Sequence, residues 1–346
     1  MVPSMSRADE SMSEPDFSYP TSTLEYVQSL PRPERLPRQR LWLHLLLLAA
    51  TCFTTLVVGA RMEFDFRHNL PPLTDTGGHI PFFPVEWALA QPSRLLLGIP
   101  FSLTLLGILF CHEMGHYVLC LLYDVRATLP FFIPAPTLIG TLGAVIRIKA
   151  QIRSRAALFD IGIAGPIAGF VVAVPALAIA LMLSKPLAHG MPASDLALGF
   201  PEIFFWVHSF LRLVDPGYAI ANVPLSRVYL HPTAVAAWVG MFATALNLLP
   251  AGQLDGGHIV YALSPRGHRW ISWMTAFGLL YLGMGHTNMT WRVWAGLIIA
   301  MNILTFRVQQ APRFPMLPPS RWILAMVAAI LLALTFTVSP FQMNWR

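Results

Sequence analysis

The chain has 346 residues, of which 55% are hydrophobic and only 12% charged, and its mean hydropathy is +0.58. Soluble domains carry about 25% charged residues, so an ordinary soluble fold is excluded and a multi-pass membrane protein is indicated. The net charge of +6 does not argue for a nucleic-acid partner, because the arginines sit in loops beside apolar runs, where they set membrane topology.

Residues 1–40 are polar and rich in Pro and Ser, and end in a cluster of Arg32, Arg35, Arg38 and Arg40. This composition predicts a disordered cytoplasmic tail. It holds no apolar stretch, so no cleavable signal peptide is expected. Asp9, Glu10, Glu14 and Asp16 argue against a plastid transit peptide. Residues 41–60 read as a first span whose start the arginines hold in the cytoplasm. Residues 61–94 read as an external loop.

A second span is expected over about residues 97–122, running inward. Within it, LLGILFCHEMGHYVLCLLY (105–123) carries His112, Glu113 and His116. Residues i and i+4 share a helix face, so both imidazoles can reach one metal ion. His-Glu-x-x-His on a helix is a metalloprotease signature, with two ligands and Glu113 as general base. At about 1.5 Å per residue His112 lies on the order of 15 Å from the inner end, deep in the membrane. An ionisable group there costs roughly 2.5–3.5 kcal/mol on insertion scales, and a metal would account for its retention. Two histidines packed against other polar groups is the plainer alternative.

Residues 123–157 contain Arg126, Arg147, Lys149, Arg153 and Arg155 and read as cytoplasmic. Pro130, Pro134 and Pro136 exclude a regular helix. GTLGAVIRIK (140–149) reads as a short strand or re-entrant hairpin. It is either an edge for an extended substrate or a plain connector. A third span is expected over 158–183, with Asp160 at its start. Gly165-Pro166-Ile167-Ala168-Gly169 gives small residues at a close-packing spacing. The neighbour is either the metal helix or another span.

Residues 184–232 form a second external segment, in which 200–214 reads as an amphipathic surface helix. The run from 233 to 262 begins as a helix and is then broken by Asn247, Pro250, Gly252, Gln253, Asp255, Gly256 and Gly257. Broken helices at membrane depth occur where backbone is buried in protein or lines a watery cavity. A catalytic zinc takes three protein ligands plus water, and His112, His116 and Asp255 complete that set. On a straight helix Asp255 would lie about 33 Å along, shallower than His112, so the break has to make up the difference. His258 is either a fourth ligand or a packing residue. Residues 271–285, 291–306 and 322–339 read as three more spans, for about seven in all. Cys52, Cys111 and Cys120 lie in apolar runs with no disulfide or metal spacing and read as buried apolar residues.

Together these residues resemble the site-2 protease family of intramembrane zinc metalloproteases. His112-Glu113-Met114-Gly115-His116 matches its first motif, and Asn247-Leu248-Leu249-Pro250 through Leu254-Asp255-Gly256 its second. The wording Gly252-Gln253-Leu254-Asp255-Gly256-Gly257 looks more like that of PDZ-less bacterial members and their plastid relatives. The resemblance implies an all-α polytopic fold with a short β segment beside the metal. It implies one Zn2+ per chain on His112, His116 and Asp255, with Glu113 activating water and Asn247 contacting the substrate. The expected partner is a transmembrane protein such as a membrane-tethered transcription regulator, in a bilayer. A bacterial cytoplasmic membrane is the expected location, with the N-terminus cytoplasmic.

The expected organisation is a tail (1–40), a first span and loop (41–94), a catalytic core (95–262) and C-terminal spans (263–346). Two rival classes remain. A membrane metal carrier would move metal and be indifferent to Glu113→Gln, and a non-catalytic scaffold would ordinarily carry a broken motif.

Overall fold

The computed structural model describes residues 40–71, 83–150, 152, 154–188, 196–285, 289–305 and 317–343. The expected tail up to residue 39 and Arg153 lie outside the described residues. The first helix, α1 (Leu41–Arg67), is rich in Leu, Val, Ala and Thr and contains no proline. It outruns the expected span, because residues 61–67 continue the helix instead of opening a loop. The reason is two i,i+4 ion pairs, Arg61–Asp65 (3.4 Å) and Arg67–Glu63 (2.7 Å), three of whose four side chains are buried. His231 approaches Glu63 at 3.4 Å from the other side.

After a short α2 (Val85–Ala90) and a 3-10 turn at Pro92–Gly98 comes α3 (Ile99–Leu122), which bears the His-Glu-x-x-His residues. Strands β1 (Phe131–Pro134) and β2 (Thr141–Val145) pair antiparallel, Phe132 opposite Ala144, with a bulge before Pro134. Of the short strand or re-entrant hairpin expected over 140–149, a strand is present at Thr141–Val145, and the hairpin it belongs to begins earlier, at Phe131. Helix α4 (Arg155–Leu183) follows, with its first turn capped by the Ser154 hydroxyl, which accepts from Ala157 N at 3.1 Å. Asp160, expected at the helix start, therefore does not serve the helix end. It lies more than a turn inside and binds Arg321 at 2.7 and 2.9 Å.

Two minor antiparallel pairs join β3 (Lys185–Pro186) to β5 (Val228–Tyr229), and β4 (Leu196–Leu198) to β6 (Phe341–Met343). Helix α5 (Glu202–Val214) buries Ile203, Phe204, Val207 and Leu211. Its opposite face is not polar throughout, since Trp206, Phe210 and Leu213 are exposed there. The remaining helices are α6 (Pro232–Leu248), α7 (Asp255–Leu263), α8 (Pro265–Leu282), α9 (Met289–Thr305) and α10 (Ser320–Thr335).

Among the described residues, three helical stretches are long and apolar enough to cross a membrane: Leu41–Arg67, Pro92–Leu122 and Arg155–Leu183. Pro232–Leu248, Met289–Leu304 and Ser320–Thr335 are apolar but shorter. Lipid is as apolar as leucine, so burial alone does not drive such helices together, and close van der Waals packing must. α3 and α4 form the most extensive helix pair. Phe101, Leu105, Ile108, Leu177, Trp238 and Met241 fill the core between α3, α4 and α6. Phe159, Ile163, Leu248, Ile259, Ala328 and Leu331 pack α4, α6, α7 and α10 around a second one.

Candidate metal centre

On α3, residues 112, 113 and 116 all face inward, and His112, Glu113 and His116 are buried. The helix opposite is made of small residues at those levels. A Cβ on Gly165 would stand 2.1 Å from His116 Nε2, and one on Gly169 would stand 3.2 Å from His112 Cβ. In return, a Cβ on Gly115 would stand 2.5 Å from the Ala164 carbonyl oxygen. The small residues of α4 therefore serve the histidine-bearing helix, and they leave the space that the imidazoles occupy.

The third group comes from the break after α6. Ala251 N donates to the Leu249 carbonyl (2.7 Å) and Leu254 N to the Ala251 carbonyl (3.2 Å), a compact turn. A Cβ on Gly256 would lie 2.1 Å from the Leu248 carbonyl oxygen, so the start of α7 is folded back on the end of α6. This fold-back resolves the depth mismatch: Asp255, the first residue of α7, is not at the end of a straight rod. Its Oδ2 lies 3.3 Å from His112 Nε2 and 3.2 Å from His116 Nε2. One ligand atom from each of the three residues falls within 4.8 Å of the others.

His116 Nδ1 faces the Ile161 carbonyl oxygen at 2.7 Å. A carbonyl can only accept, so Nδ1 carries the hydrogen and a neutral ring offers a lone pair at Nε2. That lone pair points at a carboxylate oxygen that is buried without a hydrogen-bond partner. Acceptors converging in a dry site repel one another unless a cation sits among them. Two imidazole nitrogens and one carboxylate oxygen also match the donor set of a catalytic zinc site, so the residues present fit such an ion.

Glu113 is held from a different direction. Its Oε2 accepts the Ile146 N–H at 2.8 Å, just past the end of β2, which ties the carboxylate to the hairpin. Asn247 reaches the cluster as well, with its Nδ2 3.2 Å from His112 Nε2. His258 is not part of the donor group and packs beside Gly162 of α4. The three cysteines are free, and Cys120 is buried as expected, whereas Cys52 and Cys111 are only half-buried because their helices turn them partly outward. Sequence reasoning missed Ile146 and Ile161, and no residue-type signal could have found them, because both act through backbone atoms.

Two buried histidines and a half-buried aspartate between apolar helices, with a carboxylate beside them and a β hairpin at their edge, form a donor group of the kind that can hold a metal ion. The profile of Peptidase family M50 matches residues 100–282, more than half of the chain, and the chain belongs to that family. It is 30% identical over 304 residues to the probable zinc metalloprotease EGY1, chloroplastic, of Arabidopsis thaliana, a match covering 82% of this chain and 51% of that protein. It is 31% identical over 259 residues to EGY1 of Oryza sativa subsp. japonica, covering 71% and 42%. It is 28% identical over 219 residues to EGY2 of Arabidopsis thaliana, covering 63% and 37%. The chain thus spans about half, or less, of the length of these curated relatives. The resemblance to the site-2 protease family holds.

Proposed function

We propose that the chain is an intramembrane zinc metalloprotease that hydrolyses peptide bonds in transmembrane segments of membrane proteins. The observation that carries this is the convergence of Asp255 with His112 and His116 across more than 130 residues of sequence, inside apolar helices of an M50 family member. His112, His116 and Asp255 would hold one Zn2+. Bound there, zinc supplies Lewis-acid polarisation of the scissile carbonyl and a more acidic water. Glu113 takes the proton of the attacking water and delivers it to the leaving amine. Its contact with Ile146 N–H fixes the carboxylate beside the hairpin. Asn247 holds the substrate backbone beside His112. A helical substrate must unwind to expose a carbonyl, and the 140–149 edge, with Leu142 exposed, can hold it extended.

The reading extends to the whole chain. Seven spans, a cytoplasmic N-terminus and a core at 95–262 flanked by 41–94 and 263–346 agree with the arginine-rich segments. A membrane-tethered regulator is the substrate class in view. As for the compartment, the relatives are chloroplastic by name, whereas the sequence pointed to a bacterial cytoplasmic membrane. A plastid-type membrane is therefore the second location to test.

The deciding experiment compares purified wild-type, Glu113→Gln and Asp255→Ala proteins for metal content and for cleavage of a transmembrane reporter. Glu113→Gln is expected to keep zinc and lose about 10²–10⁴-fold in rate, and Asp255→Ala to lose zinc. Cleavage by Glu113→Gln at the wild-type rate, or full zinc content in Asp255→Ala, would refute the assignment.

A further inference from the structure

We infer that His268, Ser272 and Asn302 are positioning residues for Asp255, acting through the turn that delivers it. The inference rests on the metalloprotease reading and concerns residues that neither motif contains. Residues 268 and 272 are one turn apart on α8, so they present one face. Both are buried, at 2% and 1% exposure. That face is turned to the break between α6 and α7, and it grips a single residue there. Gly252 N donates to Ser272 Oγ at 2.9 Å, and His268 Nε2 donates to the Gly252 carbonyl at 3.2 Å. Ser272 in turn donates to Asn302 Oδ1, on α9, at 2.6 Å. Both backbone polar groups of Gly252 are thereby satisfied by α8, which is itself braced on α9.

The gripped residue is the one that shapes the turn. Gly252 has φ of +54°, a left-handed conformation that favours glycine. A Cβ there would also stand 2.6 Å from Met301 Cε. Asp255 follows three residues later, across the turn that Leu254 N closes on the Ala251 carbonyl. A buried imidazole and hydroxyl in an apolar bundle are costly unless paired. The other imidazole nitrogen, His268 Nδ1, is buried with no hydrogen-bond partner. The hydrogen bond this ring does make is its Nε2 contact with Gly252. Removing either grip strands a buried backbone group. The turn must then move to satisfy it, and the Asp255 carboxylate moves with it. Outer residues that orient metal ligands typically change metal affinity or activity by about 10- to 100-fold when removed.

The test uses the full chain in detergent. Zinc affinity is read by chelator competition, the ligand field by the visible absorption of the Co2+-substituted protein, and reporter cleavage as separate kcat and KM. Ser272→Ala and His268→Leu are expected to weaken zinc binding about 10- to 100-fold, shift the Co2+ spectrum and lower kcat more than raise KM. His268→Gln, whose amide nitrogen reaches the Nε2 position, should stay within a few-fold of wild type. In an Asp255→Ala background, Ser272→Ala should cause no additional loss, since the two act through one carboxylate. Leu279→Ala, a buried packing change on the same helix, should lower Tm without moving zinc affinity. Wild-type zinc affinity and Co2+ spectrum in Ser272→Ala would overturn the inference, as would losses that add to those of Asp255→Ala. Should His268→Leu fail to fold, Ser272→Ala decides alone. Wild-type zinc binding that is indifferent to Asp255→Ala would instead sink the metalloprotease reading, and the positioning role with it.

Discussion

Gly165 shows how closely the candidate centre is fitted. Alanine is the better helix former by roughly 0.8–1.0 kcal/mol, so Gly165→Ala should favour α4 as an isolated helix. In the fold, its methyl would stand 2.1 Å from His116 Nε2 and drive the imidazole off its line to Asp255. Gly165→Ala is therefore expected to lose metal while keeping helix content, measured by metal analysis and far-UV circular dichroism. Gly169→Ala, with 3.2 Å to His112 Cβ, should lose less. Equal metal content in Gly165→Ala and wild type would show that the imidazole does not need this space. The motif residues were readable at this scale because imidazole and carboxylate have few uses in lipid. Ile146 and Ile161 were not, since a backbone N–H or C=O is offered by every residue and only position singles one out.

At the scale of elements, the β1–β2 hairpin depends on a helix outside the family-matched region. Thr54 Oγ1 of α1 donates to the Gly140 carbonyl at 2.6 Å. His44 of the same helix contacts the Pro130 carbonyl at 3.2 Å and stacks on Phe131. α1 thus holds the hairpin at its turn and at its entry, and the hairpin's Ile146 N–H binds Glu113. Gly140 has φ of +78°, and a Cβ on it would stand 2.7 Å from the Thr54 carbonyl oxygen. Gly140→Ala should cost about 1–3 kcal/mol locally and displace the hairpin from Glu113. The expected outcome is several-fold slower reporter cleavage with zinc content unchanged. A rate equal to wild type would mean that the hairpin position is immaterial to Glu113. The hairpin itself was foreseeable from glycines, prolines and β-branched residues. Its anchoring by α1 was not, because an apolar span reads the same whatever it packs against.

At the scale of the whole molecule, the last described helix closes onto the end of α3 and the first turns of α4, the two helices that pack together at the candidate centre. Arg321, at the start of α10, makes two contacts with Asp160 of α4 and one with Tyr123 at the end of α3. Tyr123 also donates to Asp160. Three chain-distant helices meet at this one charged node, beyond the apolar packing of Ala328 and Leu331. Hydrogen bonds to charged groups contribute about 1.5–3 kcal/mol, so Arg321→Ala should lower stability by that order, read as a drop in Tm in detergent. Arg321→Lys should recover only part, because an ammonium cannot reproduce the forked contact. An unchanged Tm in Arg321→Ala would leave α10 held by its apolar face alone.

Hydropathy and two polar motifs pointed to a membrane protein with a pair of histidines and a distant carboxylate that belong together, since charge in lipid is costly enough to stand out in any linear reading. The helical extension past residue 60, the partner of Asp160 and the grip on Gly252 emerged only on folding. Each depends on which helix lies opposite, and between helices of near-uniform apolar character that choice is made by small-residue fit and by single hydrogen bonds whose partners are far apart in the chain.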